Sequence, residues 1–476
     1  MGFTQVLFLF IFMPVSILLY LAAYRLSGKN LRFCNGVLIF EGLLFYCLAE
    51  PRLCAFFISL TILMHIIGVA IHRSESNDER NLLMMFGVII LAFLPVIYRY
   101  LPAMKIMTDD MQPVTMPLFE SMLVPVGLTF FTLEAISYIL DIYAGKESPG
   151  TMMDAFVFTM LFPKAVCGPV VLWRDFSHQI HDRKTTLPNI NNAIKRIIIG
   201  YAKKVIIADT FAAQIALIDA KMATNSTDSL TVWILGLLYF FMIYYDFAGY
   251  SDIAIGLSSI LGFDIGENFD RPYLSASPAE FWRRWHISLG NWFREYIYIP
   301  LGGNRKGNMY INILITFLIA ALWHRWSLNV LLWGVLNGAI VIADKAWKRE
   351  GHDNKSSRFM GILLTVLLVF FGWMLFRAVD FTCALGTFKS LVVSPGGSLP
   401  NFTWQFFMTK RTAVFLIVAA AGAFGALRKI GVWIKLRMSP EAYELADKIL
   451  LLILFALDIM FVLGNPYTPF VYSMIP

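Results

Sequence analysis

Hydrophobic residues in this chain are grouped into long segments, and shorter polar stretches separate them. Most segments approach the roughly 20 residues that an α-helix needs to cross a bilayer. The pattern predicts an all-α fold with about 11 transmembrane helices, together with re-entrant helices and helices at the membrane surface. The apolar segments are 5–24, 35–48, 53–71, 81–98, 121–143, 151–173, 197–219, 229–262, 309–323, 327–344, 359–378, 412–427 and 446–464.

The composition indicates a polytopic membrane protein. Hydrophobic residues make up 58% of the 476 residues and charged residues only 15%, whereas soluble domains carry about 25% charged residues. The apolar N-terminal stretch lacks a basic start and a clear cleavage site, so we expect a retained first span. Because no repeat or low-complexity linker divides the sequence, residues 1–476 are predicted to form a single membrane domain.

The net charge of +7 comes from basic residues that are concentrated in a few loops. These loops flank apolar segments, so the charge indicates membrane orientation and not nucleic-acid binding. Placing all of them in the cytoplasm satisfies the positive-inside rule and puts both chain termini outside. The basic loops are 25–32, 174–204, 263–308, 345–358 and 428–437.

This orientation leaves one apolar segment that cannot cross the membrane fully. A predicted outside loop precedes 121–143 and a predicted inside loop follows 151–173, so both segments cannot be complete spans. The second contains Pro163 and Pro169, in "FPKAVCGP", and proline interrupts a helix. We expect one segment to be re-entrant. Such backbone must be lined by protein or water, which indicates an internal cavity.

Loop 263–308 is aromatic and basic but too polar to cross a membrane. Ser277, Pro278 and Glu280 form a helix-start signal, and the run 281–297 then predicts amphipathic helices at the cytoplasmic surface. These helices could anchor the chain to the membrane surface. They could equally form the floor of a buried site, and the residues that would then turn inward are Arg283, Arg284 and His286.

His324 lies between two apolar segments, where an ionisable side chain is costly and usually faces a cavity or the bundle interior. Burial favours the neutral imidazole, which is the form a general base needs. The alternative is a structural histidine bonded to a neighbouring helix. Asp246 and Asp252 are similarly ambiguous, since they could face a cavity or cap a helix break at Gly249. No group of residues has the spacing of a zinc site, so no metal is expected.

Several motifs together resemble one family. They are "YYDFAGYSDIAIGLSSILGF", "ENFDRPYLSASPAEFWRRWHISLGNWFREYIYIPLGGNR", "LWH" at the end of an apolar segment, and "WMLFRA" at 373–378. The chain resembles the membrane-bound O-acyltransferase (MBOAT) family, and within it the bacterial alginate O-acetylase group. The resemblance implies a ring of membrane helices around a central funnel, with cytoplasmic surface helices closing its base.

The resemblance also implies which residues form the site. His324 and His286 match the two motif histidines and are expected to be catalytic. A second set is expected to bind substrate: Arg283, Arg284, Asp246, Tyr250, Asn268 and Trp285. Two features depart from the family. Arg325 follows His324 where glycine is usual, and could meet an anionic group of a substrate or partner. The ending "NPYTPFVYSMIP" lacks the aromatic terminus of close relatives.

The function implied by the resemblance is O-acetylation of an extracytoplasmic polysaccharide of the alginate or cellulose type. The expected donor is acetyl-CoA, the expected location is a bacterial inner membrane, and the expected partner is a periplasmic SGNH-type acetyltransferase. No permanently bound cofactor is expected. Alternatives within the family are D-alanyl transfer to teichoic acid and peptidoglycan O-acetylation. A transporter or flippase is an alternative of another class, although no matching interrupted segments occur in two halves. A non-catalytic scaffold for polymer export is a further alternative.

The orientation can be tested by labelling single cysteines in intact cells, in a background without the native cysteines. We expect a cysteine at position 352, in the basic loop 345–358, to be protected from an impermeant maleimide until the membrane is permeabilised. A cysteine placed next to the N-terminus should label in intact cells. Strong labelling at position 352 without permeabilisation would contradict the orientation.

Overall fold

The computed structural model describes residues 2–49, 51–108, 127–166, 168–224, 227–349, 358–395 and 401–464. Within these ranges the regular secondary structure is helical and no β-strand is formed, as the apolar pattern predicts. Its backbone contacts form two compact units, one from residues 1–194 and 253–266 and the other from 195–252 and 267–476. The single domain over 1–476 stays a prediction. Three predicted features lie partly or wholly outside the described residues: the start of segment 121–143, most of loop 345–358 with position 352, and the C-terminal motif.

The first unit is built from apolar helices of very different lengths. The chain passes from one unit to the other within two helices, α9 (Leu187–Tyr201) and α11 (Ser229–Ile260). The other helices of this unit are α1 (Met13–Leu26, preceded by a π-helical turn at Phe8–Phe12), α2 (Leu31–Ala49), α3 (Pro51–Arg73), α4 (Asn77–Thr108), α5 (Leu128–Tyr143), α6 (Met152–Met160), α7 (Phe162–Ala165) and α8 (Trp173–His181).

Segment 151–173 is interrupted, as its prolines predict. Helix α6 ends at Met160, Leu161 is extended, and only the four residues of α7 follow before the chain leaves the helical conformation. Three polar side chains on one face of α5 satisfy this irregular backbone. Glu134 binds the buried ammonium of Lys164 and accepts the Val171 N–H at 3.4 Å. Ser137 accepts the Trp173 N–H at 3.3 Å, and Asp141 accepts the Arg174 N–H at 3.1 Å.

The second unit contains the surface helices and the hairpin that the motifs predict. A π-helical turn at Ala202–Ala208 joins α9 to α10, and another at Arg294–Tyr298 follows α13. The helices are α10 (Asp209–Met222), most of α11, α12 (Pro278–Arg284), α13 (Ile287–Phe293), α14 (Met309–His324), α15 (Leu328–Arg349), α16 (Arg358–Arg377), α17 (Phe381–Ser390), α18 (Trp404–Phe407), α19 (Lys410–Ala423), α20 (Ala426–Lys435) and α21 (Pro440–Gly464).

Helices α14 and α15 form a tight hairpin because glycine lets their backbones approach. A Cβ atom at Gly334 would lie 2.9 Å from the Phe317 carbonyl oxygen and 2.8 Å from Cβ of Ala321. A second glycine, Gly338, faces Leu314 four residues further along α15. Small residues at this spacing allow close helix packing in membranes. The hairpin therefore has a fixed geometry, and His324 lies at its turn.

Seven of the described helices are long and apolar enough to cross a membrane. Helices α19 and α20 would add an eighth span if they are counted as one, although they are bent by 73°. The other predicted spans are shorter helices, as in α5 and α14, each of 16 residues.

Candidate active site

The second unit encloses a cavity of about 630 Å³ beside the α14–α15 hairpin. His286 and His324 both line it. The cavity follows one face of α14, from Ile313 through Thr316 and Ala320 to His324. From Ile313 to His324 the helix advances by 11 steps, or about 17 Å at 1.5 Å per step. The cavity is therefore a channel-like space with the histidines toward one end of α14.

The local sequence places His286 between two short helices. Ser277 caps α12, since its hydroxyl accepts the Glu280 N–H at 3.3 Å, as the helix-start signal predicts. The helix ends at Arg284, and His286 adopts a left-handed backbone conformation with φ of +45° before α13 begins. This conformation is uncommon for a residue other than glycine and commonly marks a functional position. It separates the two helices and turns the imidazole toward the cavity.

Asn268 determines the tautomer of His286. Its side-chain oxygen lies 3.0 Å from Nδ1 of His286 and also accepts a hydrogen bond from the Ser288 hydroxyl at 2.9 Å. Its amide nitrogen donates to the Ser251 hydroxyl at 2.9 Å, so the oxygen is the atom facing His286. Nδ1 therefore carries the proton. Nε2 is left with a lone pair, and it has no hydrogen-bond partner among the described residues.

The surroundings of His286 keep its ring neutral. Burial lowers the pKa of His286 well below its usual range, and the charge of the neighbouring His324 lowers it further. Phe247 packs edge-on against the ring, with centroids 4.4 Å apart. A buried neutral imidazole with a free lone pair can accept a proton or a hydrogen bond. Because it has no N–H left to donate toward the cavity, it cannot stabilise an oxyanion in this form.

His324 is the last residue of α14 and is surrounded by aromatic rings. The centroids of Trp323, Trp333 and Phe376 lie 4.7, 5.8 and 5.3 Å from that of His324. Its side chain is buried but lines the cavity. This arrangement agrees with the prediction that the hydrophobic peak around His324 faces a cavity.

Arg325 anchors the hairpin turn and does not line the cavity. Its guanidinium donates to the carbonyl oxygens of Phe376, at 3.1 Å, and Ala378, at the C-terminal end of α16. Asn329 donates to the same Ala378 oxygen at 2.7 Å. These contacts satisfy carbonyl groups that a helix end leaves unpaired, and a cation there is favoured by the helix dipole. The guanidinium of Arg325 thus has carbonyl partners within the protein, which is a different contact from the anionic group considered for it above.

The predicted substrate-binding residues separate into two groups. Arg283 and Trp285 line the cavity with the two histidines, whereas Arg284 does not and pairs with Glu280 at 2.8 Å. Asn268 lies behind His286 and orients its ring. The remaining two candidates, Asp246 and Tyr250, are also absent from the cavity lining.

Asp246 belongs to a buried ionic cluster. The Lys204 ammonium lies 2.6 Å from carboxylate oxygens of both Asp246 and Asp209, and 5.5 Å from the centre of the Tyr250 ring. The nearby Asp252 pairs with Arg196 and Lys203, at 2.9 and 2.5 Å. Helix α11 continues through Gly249, so the idea of a capped helix break there is wrong. These acids act in packing of the second unit.

The far end of the cavity contains basic residues that were not among the predicted site residues. Arg294 and Lys345 line it together with Tyr298. The Lys345 ammonium lies 5.6 Å from the centre of the Tyr298 ring, and its charge interacts with that of Arg283. One signal in the sequence indicates that Lys345 lies far from His324. Lys345 is in the last turns of α15, at the opposite end of the hairpin from His324. Predicting its role required the hairpin geometry.

Comparisons of the sequence with known proteins identify its family. Residues 147–418, more than half of the chain, match the profile of the MBOAT, membrane-bound O-acyltransferase family. The probable alginate O-acetylase AlgI of Pseudomonas putida is 33% identical, and the alignment covers 99% of each chain. The protein of the same name from Pseudomonas aeruginosa is 34% identical over 82% of this chain and 75% of its own. A peptidoglycan O-acetyltransferase of Helicobacter pylori is 29% identical over 83% of this chain and 81% of its own.

These matches confirm the family inferred from the motifs and the prediction of a multi-pass membrane enzyme. They also decide between the classes considered above, because the family and its named relatives transfer acyl groups to oxygen. The chain belongs to the membrane-bound O-acyltransferase family.

Proposed function

We propose that this O-acyltransferase takes an acetyl group from cytoplasmic acetyl-CoA and transfers it across a bacterial inner membrane for O-acetylation of a polysaccharide. The polymer is of the alginate or cellulose type. The names of the similar Pseudomonas and Helicobacter proteins specify acetyl transfer, which supports the choice of acyl group. The observation that carries the proposal is one cavity lined by two histidines and by the basic side chains of Arg283, Arg294 and Lys345.

The basic end of the cavity fits the phosphates of the donor. Neither Arg283 nor Arg294 has a salt bridge to another described residue, and Lys345 adds a third positive charge. Phosphate groups bind such clusters through charge-assisted hydrogen bonds. The apolar wall between this end and His324, which includes Phe317 and Ala320, suits the uncharged arm that carries the thioester. The donor would then place its acetyl group near the histidines.

The two histidines support an acyl transfer that is assisted by proton removal. In the proposed step, neutral His324 takes the proton of an acceptor hydroxyl as the hydroxyl oxygen attacks the thioester carbonyl. The carbon–sulfur bond breaks, and the departing thiolate takes up that proton. A positioned base of this kind contributes about 10²–10⁴-fold to the rate. A proton on His324 lowers the pKa of His286 further and so disfavours a second proton on the pair.

The tautomer of His286 limits the role that this residue can have in the proposed reaction. Because Asn268 holds its Nδ1–H, Nε2 can only accept a hydrogen bond while the ring is neutral. We therefore assign His286 to accept a hydrogen bond from the acceptor hydroxyl or from a protonated His324. Stabilisation of the oxyanion falls to another donor in the cavity.

The immediate acceptor in this proposal is a hydroxyl of a periplasmic SGNH-type acetyltransferase, which passes the acetyl group to the polymer. This partner rests on the resemblance of the chain to the alginate O-acetylase group. A Streptococcus thermophilus relative named teichoic acid D-alanyltransferase is 25% identical, but the alignment covers only 54% of this chain. The more extensive matches to acetyl-transferring proteins favour acetyl over D-alanyl transfer.

His324 provides the main test of the proposal. We expect His324→Gln and His324→Ala to insert and fold, and to lower polymer acetylation by about 10²–10⁴-fold because the base is lost. The measurement is the acetyl content of the secreted polymer, normalised to membrane-inserted protein. The control is His65→Gln, since His65 is a buried histidine whose Nδ1 lies 2.9 Å from the Tyr138 hydroxyl. A folded His324→Gln with near-normal acetylation would refute the catalytic role.

The donor site is tested by two adjacent arginines. Arg283→Gln should weaken acetyl-CoA binding by about tenfold, because a charge-assisted hydrogen bond to phosphate is lost. Arg284→Gln is the matched control: Arg284 lies outside the cavity lining and pairs with Glu280, so binding should change little. Calorimetry on purified, folded variants measures both. Unchanged affinity in Arg283→Gln, or equal loss in both, would remove the assignment.

The Asn268–His286 hydrogen bond predicts a shift in pH dependence. In Asn268→Asp, the hydroxyls of Ser251 and Ser288 can still donate to position 268, while the new carboxylate favours the imidazolium form of His286. The pKa of His286 rises, so its neutral form is lost at a higher pH. We expect the acid limb of activity to move up by about one pH unit or more.

Asn291→Asp is the control for this pH shift, since it adds the same charge to the cavity wall away from Nδ1 of His286. It should move the acid limb less. If Asn268→Asp is active with an unshifted limb, His286 does not titrate in the reaction.

A further inference from the structure

Helix α20 has the features of a helix that lies along the membrane surface. It follows α19 with a bend of 73° at Gly425, whose φ of +75° is readily adopted by glycine. A cytoplasmic position follows from the basic residues of 428–437 under the positive-inside rule. If α19 crosses the membrane, α20 then runs nearly parallel to its inner surface.

Large apolar side chains of α20 and the residue after it are left uncovered by the described protein. Trp433 is 54% exposed and Leu436 is 82% exposed, and no residue of α20 is buried. The guanidinium of Arg437 lies 4.1 Å from the centre of the Trp433 ring. A helix with exposed apolar residues, a tryptophan and several cations is typical of those that insert at the level of lipid headgroups.

A pocket of about 430 Å³, which we call the corner pocket, lies beside this bend. Three cations line it, and its lining contains no carboxylate. Arg271 pairs with the exposed Asp270 at 3.1 Å, but the side chains of Arg428 and Lys429 have no ion pair among the described residues. The apolar part of the lining includes Phe424, Val432 and Trp433.

We propose that the corner pocket binds the headgroup of an anionic phospholipid of the cytoplasmic leaflet. The phosphate would meet Arg428, Lys429 and the free part of the Arg271 guanidinium, while the acyl chains would lie on Trp433 and Leu436. Both segments that supply the cations belong to the basic loops 263–308 and 428–437, which are predicted to face the cytoplasm. Clusters of Lys and Arg at this position are attracted to the anionic lipids of that leaflet.

The combination of charge and apolar surface favours a lipid over a soluble phosphate. A free anion would use the three cations but would leave the exposed apolar surface at Trp433 and Leu436 in water, which is unfavourable. A lipid satisfies both, because one molecule joins an anionic group to hydrocarbon. The residues of this pocket are not those of the reaction cavity, so the proposal does not depend on the acetyl donor or acceptor.

Trp433 allows the site to be tested directly. Purified full-length protein in a neutral detergent is titrated with brominated phosphatidylglycerol, and tryptophan fluorescence is recorded. The part of the quenching that is absent in Trp433→Phe reports on the corner pocket. We expect this part to saturate with brominated phosphatidylglycerol and to remain weak with brominated phosphatidylcholine. Equal quenching by both lipids would show contact with bulk lipid only and overturn the proposal.

A charge-matched pair of variants tests the role of the cations. Arg428→Gln with Lys429→Gln should raise the lipid concentration at half-maximal quenching by on the order of tenfold, since each nearby cation strengthens binding to anionic lipid. Lys435→Gln with Lys448→Gln removes the same charge outside the pocket and should change it less than about twofold. Equal shifts in both pairs would refute a specific site.

A competition experiment separates lipid from free anion. Inorganic phosphate, added at the same ionic strength as a sodium chloride control, should not displace the brominated phosphatidylglycerol beyond the effect of salt. Full displacement by phosphate would show that the pocket takes small anions and would overturn the lipid assignment. All variants change exposed or half-exposed side chains, and their folding is checked by gel filtration before titration.

Discussion

The cost of leaving a polar group unpaired in apolar surroundings governs the arrangement of this protein. At two places where the helical backbone is broken or ends, side chains from elsewhere in the same unit supply the missing partners. Glu134 and Ser137 accept the backbone N–H groups of Val171 and Trp173. Arg325 donates to the carbonyl groups at the end of α16. These contacts give the irregular backbone defined hydrogen-bond partners within its own unit.

The same requirement sets the chemistry of the site. Ser251 receives the amide proton of Asn268, so the Asn268 oxygen must face His286, and the ring must carry its proton on Nδ1. A chain of two hydrogen bonds therefore leaves the lone pair of His286 on Nε2. Desolvation keeps that lone pair unprotonated by lowering the pKa of the ring.

Features that depend on local pattern could be predicted from the sequence. Apolar runs identified most helices, the prolines at 163 and 169 identified the interrupted segment, and Ser277 identified the start of α12. The two motif histidines were expected at one site, and both line the cavity. These predictions succeeded because helix formation and capping are decided by residues close in sequence.

Roles that depend on distant partners could not be predicted in this way. Asp246 looks the same in sequence whether it faces a cavity or pairs with Lys204, which lies 42 positions earlier in the chain. The carbonyl partners of Arg325, at Phe376 and Ala378, follow more than 50 residues later, so the sequence around Arg325 does not indicate them. Lys345 lines the cavity because α15 packs antiparallel to α14, a contact that the sequence around Lys345 does not indicate. Packing between helices decides such roles.

The length of α14 has a consequence for the surrounding lipid. Its 16 residues, Met309–His324, extend about 24 Å, whereas the hydrocarbon core of a bilayer is about 30 Å thick. With its start at the cytoplasmic face, as the positive-inside rule predicts, the helix would end below the opposite boundary, and this hydrophobic mismatch would be met by thinning of the bilayer or by water above His324. Under the proposed function, the acyl group would then pass over a distance shorter than the full thickness of the membrane. Bilayer thickness would thereby affect the rate of the proposed reaction.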